Sequence, residues 1–173
     1  MLLRKAVSAE APSIAALVNK AYRGESSRKG WTTEADLLSG LRTDTKEIEQ
    51  LLSSNNSLLL LCLLDHNLVG SVCLEKQGNT AHLGMFAVDP LHQRQGIGKH
   101  LLAFAETTAV EAWGVSRMVM SVITLREELM AFYLRRGYCF SGELKPFPTE
   151  SKLWHPLVSG LQLEVLEKNL CGA

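Results

Sequence analysis

A glycine-containing loop follows an apolar stretch of this chain and leads directly into an amphipathic segment. The apolar stretch ends at Val88, Asp89-Pro90 favours a turn, and the loop runs Gln93-Arg94-Gln95-Gly96-Ile97-Gly98-Lys99. A helix that begins in such a loop presents unpaired backbone N–H groups and the positive end of its dipole. Glycines have no Cβ, so an anion can approach their backbone closely. The pattern therefore predicts a site for a phosphate or pyrophosphate.

Two segments of the chain resemble signatures of one enzyme family. The stretch Gln93 to Gly98 fits the Q/R-x-x-G-x-G/A signature of the GNAT superfamily, the acyl-CoA-dependent N-acyltransferases, and the preceding strand and Asp-Pro turn stand in the family's order. Downstream, Tyr133 to Tyr138 is similar to the family's Y-x-x-x-G-[FY] element. The resemblance implies an N-acetyltransferase that passes an acetyl group from acetyl-CoA directly to a primary amine, without a covalent enzyme intermediate.

The resemblance also implies where acetyl-CoA binds. Its pyrophosphate would lie on the loop and its pantetheine beside the end of the preceding strand, like an added strand. The implied cofactor residues are Phe86, Ala87, Val88, Arg94, Gln95, Gly96, Ile97, Gly98 and Lys99. This arrangement requires the strand that ends near Val88 and the strand that starts near Met118 to splay apart. No metal is expected to take part.

Direct transfer needs groups that deprotonate the amine and protonate the leaving thiolate. Tyr133 matches the family's tyrosine and is the candidate general acid, with plain packing in the core as the alternative. His82 stands six residues before Val88, where some family members carry glutamate, so it is the candidate general base. A histidine on the exposed face of a strand is the alternative. Arg126 occupies the position of an asparagine that other members use.

In this family the segment between the first strand and the Leu58 strand forms a wall of the acceptor site. Trp31 offers an aromatic face there, and Glu25 and Glu34 offer carboxylates suited to a cationic amine. The arginines and lysine of the same segment would equally suit an acceptor that bears a carboxylate. A solvated loop followed by a helix start is an equally good interpretation.

Hydrophobic periodicity and turn residues predict an α/β (α+β) fold for residues 1–173 as a single domain. We expect a central twisted sheet of about seven strands, mixed but mainly antiparallel, flanked by helices. Predicted strands cover residues 2–7, 58–64, 68–75, 81–88, 118–123, 138–143 and 161–165. Helices are predicted from Pro12, over 32–41, from Asp44, and over 98–113 and 127–136, with loops at 24–30 and 145–160.

Composition limits the classes of partner and compartment. The 173 residues include 18 Lys plus Arg and 18 Asp plus Glu, so no general attraction to nucleic acid or to an anionic membrane is expected. The apolar run Leu58–Leu64 is too short to span a bilayer, and Met1 to Lys5 lacks an apolar signal segment. Cys62, Cys73, Cys139 and Cys171 form no C-x-x-C pair and are predicted to be buried, reduced thiols. We therefore expect a cytoplasmic monomer or homodimer.

Three functions remain open on the sequence alone. The first is an N-acetyltransferase for a small primary amine. The second is a protein or peptide N-acetyltransferase on the same fold, and the third is a non-catalytic CoA-binding sensor. The presence of Tyr133 speaks against a sensor, whereas the absence of a clear base speaks mildly for one.

Overall fold

A computed structural model describes residues 1–148 and 151–170 of the chain. Its strands are β1 (Leu2–Lys5), β2 (Leu38–Gly40), β3 (Ser57–Leu64), β4 (Asn67–Gln77), β5 (Thr80–Val88), β6 (Arg117–Ile123), β7 (Cys139–Pro146), β8 (Trp154–Pro156) and β9 (Gln162–Asn169). Its helices are α1 (Ala11–Tyr22), α2 (Gly24–Ser27), α3 (Thr45–Ser53), α4 (Ile97–Trp113) and α5 (Glu127–Leu134). No helix of the described residues is long and apolar enough to cross a membrane.

Seven strands form one mixed sheet in the order β1-β3-β4-β5-β6-β9-β7. All neighbouring strands are antiparallel except β5 and β6, which are parallel because α4 connects them. The apolar strand β3 is covered on both faces: Leu60 packs in the core beneath α4, and Leu61 packs in the core beneath α1 and α3. The predicted fold, a mainly antiparallel sheet between helices, is confirmed.

The parallel strands β5 and β6 pair only at their beginnings. Cα partners run from Thr80–Arg117 to His82–Val119, and no pairing of the two strands is present beyond His82. The register between β4 and β5 shifts between Ser71 and Cys73, opposite Met85, whose φ is +45°. A bulge of this kind bends a strand and increases its twist. The bulge therefore produces the predicted splay between β5 and β6.

Three local predictions were wrong. Residues 24–30 contain the short helix α2 instead of only a loop, and the predicted loop 145–160 contains the end of β7 and all of β8. The predicted helix over 32–41 is absent: Thr33 Oγ1 accepts from the Ala35 N–H in a turn, and β2 then pairs with β8. Leu38 reaches a small core with Ile123 and Leu161 through this pairing. A partner so distant in sequence overrides the local helical pattern.

The cysteines differ in how deeply they are buried. Cys62 and Cys73 are buried as predicted, and burial raises the pKa of the Cys73 thiol to about 12. Cys139 is exposed, contrary to the prediction, because it lies on β7, the outer strand at one edge of the sheet. Cys171 lies outside the described residues.

Candidate active site

A tight turn delivers the chain from β5 to the start of α4. The Asp89 carboxylate accepts from the Leu91 N–H at 3.0 Å and from Lys20 Nζ at 2.7 Å, which ties the turn to α1. Burial alone would raise the pKa of Asp89, but these two hydrogen bonds outweigh it and lower the pKa. An ionised, buried carboxylate thus fixes where the loop before α4 begins.

The loop then adopts left-handed backbone geometry at two residues. Arg94 has φ +64°, and Gly96, the N-cap of α4, has φ +83°. Glycine adopts such a conformation without strain. The backbone N–H groups of the first turn of α4 have no partner within the helix. They are available to an anion, as the sequence predicted for this segment.

A cavity of about 500 Å³ lies beside this turn, and we call it the glycine-loop cavity. Of the predicted cofactor residues, its wall includes Phe86, Ala87, Val88, Arg94, Gly96, Gly98 and Lys99. The side chain of Ile97 is buried in the core, so only its backbone could contact a ligand of the loop; Gln95 is exposed and is not part of the cavity wall.

The charge of this cavity suits a polyanion. Its wall contains five cationic side chains and no aspartate or glutamate among the described residues; the cations are Arg94, Lys99, Arg126, Arg135 and Arg136. Burial and the neighbouring Arg135 lower the pKa of Arg136, as expected where positive charges are crowded. Sequence reasoning did not single out Arg135 and Arg136, although both stand inside the Y-x-x-x-G segment. The site therefore fits the phosphates of a coenzyme A.

Two carbonyl groups on β5 already receive side-chain hydrogen bonds. The Tyr22 hydroxyl donates to the Phe86 carbonyl at 3.3 Å, and Gln93 Nε2 donates to the Val88 carbonyl at 3.1 Å. Each carbonyl keeps a second lone pair for a further donor. An extended ligand on this edge would therefore share these carbonyls with protein side chains.

A second cavity, of about 320 Å³, occupies the space opened between β5 and β6, and we call it the splay cavity. It shares Tyr22, Phe86, Arg126 and Leu129 with the wall of the glycine-loop cavity. The two cavities therefore adjoin at these side chains. A thioester held in one could meet a nucleophile held in the other.

Tyr133 lies where the splay cavity meets α5. Its ring is 3% exposed and packs at 6.2 Å from Phe86 and 5.2 Å from Phe132, measured between ring centroids. Its hydroxyl makes no hydrogen bond to any residue that the structure describes, and the ring lines the splay cavity. Burial raises the pKa of Tyr133, so the phenol stays protonated near neutral pH.

His82 is half-buried at the inner end of the same cavity, in the last residue pair that joins β5 to β6. Burial, with smaller contributions from Lys145 and Arg117, lowers the pKa of His82 from 6.5. A neutral imidazole near pH 7 is the state that could accept a proton.

The three predicted acceptor residues occupy different places. Trp31 lines the glycine-loop cavity, with its ring 6.1 Å from that of Phe132. Glu34 is buried and lines the splay cavity. Glu25 is in the wall of neither cavity; it is exposed on α2 and accepts from Arg28 Nε at 3.0 Å, and its role at the acceptor stays a prediction.

Glu34 does not present a free carboxylate to the splay cavity. Its Oε1 accepts from Arg126 Nη1 at 2.6 Å, and its Oε2 accepts from Arg23 Nη1. Arg126 also donates to Thr32 Oγ1 at 2.9 Å. The charged group that sequence reasoning assigned to a substrate ammonium is thus occupied by two guanidinium groups. Neither partner could be chosen from the sequence, because each contact depends on the fold.

One protein-family model matches the chain. The model of the acetyltransferase (GNAT) family matches residues 16–138, well over half of the chain. The chain belongs to the GNAT family of acetyltransferases, whose members use acetyl-CoA. No curated protein matches the chain in sequence.

Solved structures share the fold across nearly the whole chain. The ribosomal-protein-S18-alanine N-acetyltransferase from Escherichia coli is 14% identical, with a TM-score of 0.73 over 99% of this chain and 95% of that one. An aminoglycoside 6'-acetyltransferase type Ii is 13% identical, with a TM-score of 0.70 over 100% and 99%. A spermidine N-acetyltransferase chimera from Vibrio cholerae and hSSAT is 14% identical, with a TM-score of 0.70 over 98% and 96%. At these identities the likeness concerns the fold alone.

Proposed function

We propose that this protein transfers the acetyl group of acetyl-CoA to the primary amine of a small molecule. The observation that carries the proposal is the junction of the two cavities at Tyr22, Phe86, Arg126 and Leu129. The glycine-loop cavity has the cationic wall and helix N-terminus that a coenzyme A needs. The splay cavity, of about 320 Å³, has the size for a small acceptor.

Acetyl-CoA, when bound, supplies a thioester whose carbonyl carbon is open to attack by an amine. The backbone N–H groups at the start of α4 and the side chains of Lys99, Arg135 and Arg136 hold the phosphates. The edge of β5 at Phe86 to Val88 orients the pantetheine through backbone hydrogen bonds.

Two side chains carry protons in this proposal. His82 accepts a proton from the acceptor's ammonium, because its lowered pKa leaves the imidazole neutral near pH 7. Tyr133 donates its phenolic proton to the sulfur as the C–S bond breaks, and the second proton that the attacking nitrogen must lose returns to the phenolate through solvent. The raised pKa of Tyr133 supports this role, since the proton remains on the phenol until a strong base forms beside it.

The test combines binding and turnover on the purified protein. Calorimetry should show acetyl-CoA binding, and thiol release should appear when small primary amines are added. Peptides with free N-termini or lysines serve as the competing acceptor class. Turnover with peptides alone would replace the small-molecule acceptor by a protein, and acetyl-CoA binding without turnover on either panel would favour a sensor.

A further inference from the structure

The wall of the splay cavity carries more positive than negative charge. Its described ionised side chains are Arg23, Arg42, Arg126 and Glu34, and the neutral His82 adds none. Three cations and one anion give a surplus of two positive charges. In a cavity that is partly shielded from water, such a surplus favours an anionic ligand group.

Glu34 compensates only part of this charge. Its two oxygens are taken by Arg23 and Arg126, which leaves Arg42 without an ion pair or a side-chain hydrogen bond among the described residues. Arg42 also lines a neighbouring cavity together with Asp44 and Glu47, and among the described residues neither carboxylate forms an ion pair with it. The Arg42 guanidinium lies 5.7 Å from the ring centroid of Tyr22, a residue at the junction of the two cavities.

A second observation in the same cavity points in the same direction. Arg23 is 6% exposed, and its Nε is buried without a hydrogen-bond partner among the described residues. A buried donor that lacks a partner is unfavourable, and a charged group makes the cost larger. The cavity wall thus contains a cation without an acidic partner, Arg42, and an incompletely compensated cation, Arg23, whose Nε is itself shut off from the cavity.

Resting on the proposed function, we propose that the amine acceptor also carries a carboxylate, which Arg42 binds in the splay cavity. The acceptor class is a small amino acid or a similar zwitterion. A guanidinium matches a carboxylate through two parallel hydrogen bonds, which a lysine ammonium cannot reproduce. With one carboxylate bound, a positive charge remains in the wall and disfavours the ammonium form of the amine. A polycationic acceptor would instead increase the repulsion.

The experiment compares acceptors that differ only in the carboxylate. The pairs are phenylalanine with phenethylamine and methionine with 3-(methylthio)propylamine, and the methyl ester of each amino acid keeps the shape without the charge. We expect kcat/KM for the free amino acid to exceed that of its partners by roughly 10- to 100-fold, the range for one charged hydrogen-bonded pair. Arg42→Gln should abolish this preference, and Arg42→Lys should restore a minor part of it.

Lys29→Gln is the matched control, because it removes one positive charge from an exposed side chain that lines neither cavity. It should leave the preference unchanged. Equal kcat/KM for carboxylate and descarboxy acceptors, with no effect of Arg42→Gln, would overturn the inference while leaving the proposed function standing.

Binding of the N-acetyl products in the presence of CoA supplies a readout that does not depend on turnover. N-acetylphenylalanine should bind at least about 10-fold more tightly than N-acetylphenethylamine, and only when Arg42 is present. Equal binding of the two would overturn the inference. If acetyl-CoA binds but no amine of any kind is acetylated, the proposed function fails, and this binding measurement still decides whether the cavity recognises a carboxylate.

Discussion

Replacing Glu34 by glutamine separates a structural carboxylate from one that binds substrate. The side chain is 6% exposed, and its two oxygens accept from Arg23 and Arg126. Glutamine keeps the shape and one acceptor oxygen but removes the negative charge. Two buried guanidinium groups would then face each other without a counterion, which is the costly case for a buried ion pair.

The expected loss follows from that geometry. Removing one partner of a buried ion pair destabilises by about 3–5 kcal/mol, and the amide oxygen that remains places the variant near the lower end. For a chain of this size, 3 kcal/mol corresponds to a decrease in Tm of about 6–12 °C. Urea unfolding at pH 7, with the m-value checked against the native protein, measures the difference in the free energy of unfolding.

Glu25→Gln is the matched control, because Glu25 lies in the same segment but is exposed and contacts only Arg28 among its charged neighbours. It should change the free energy of unfolding by no more than about 0.5 kcal/mol. If Glu34→Gln keeps the native stability and instead raises the KM of a cationic acceptor alone, the reasoning is refuted. Glu34 would then bind the acceptor's ammonium.

Three further predictions concern the proposed chemistry. Gly96→Glu should weaken acetyl-CoA binding at least tenfold, about 1.4 kcal/mol, relative to Gly96→Ala, because both variants bear the same strain at φ +83° and only one adds a negative charge. Equal affinities in calorimetry would contradict this. Tyr133→Phe should lower kcat by roughly 10²-fold at unchanged acetyl-CoA affinity, and native turnover would leave Tyr133 a packing role only. Burial lowers the pKa of His82 below 6.5, so the decrease of kcat/KM on the acid side should have its midpoint below pH 6.5. This decrease should be absent in His82→Gln. A decrease that persists in this variant would assign the base to another group.

Local signals were sufficient wherever the structure depends on neighbours in sequence. The helix predicted from Asp44 is present as α3, and Asp44 caps it by accepting from the Glu47 N–H at 2.7 Å. The turn at Asp65 and His66 joins β3 to β4 with positive φ at both residues. The start of α4 after Gly96 follows from the same kind of information, because glycine and the residues beside it decide the backbone conformation.

The wrong predictions fall where distant segments meet. Leu37, Leu38 and Leu41, in and beside β2, have a helical spacing, but Gly40 has φ +84°, and a Cβ there would collide with the carbonyl oxygen of Leu153, the residue before β8. No local pattern encodes that partner. Arg126, one of the two partners of Glu34, is likewise distant from it in sequence. The sequence analysis noted Arg126 only because it replaces the family's asparagine. Charge and spacing could propose that Glu34 is functional, but only the fold shows which charges surround it.

Gln93, the first residue of the Q/R-x-x-G-x-G/A signature, forms hydrogen bonds both to the end of β5 and to Trp31. Its Nε2 donates to the Val88 carbonyl at the end of β5, and its Oε1 accepts from the Trp31 N–H at 2.8 Å. A Cβ on Gly30 would lie 2.5 Å from the same oxygen, so the glycine permits this close approach. The glutamine therefore fixes Trp31 against the edge on which the pantetheine is proposed to lie. Gln93 thus positions the end of β5 beside the glycine-loop cavity. Through Trp31 it also positions the residues that lead to Glu34 in the wall of the splay cavity.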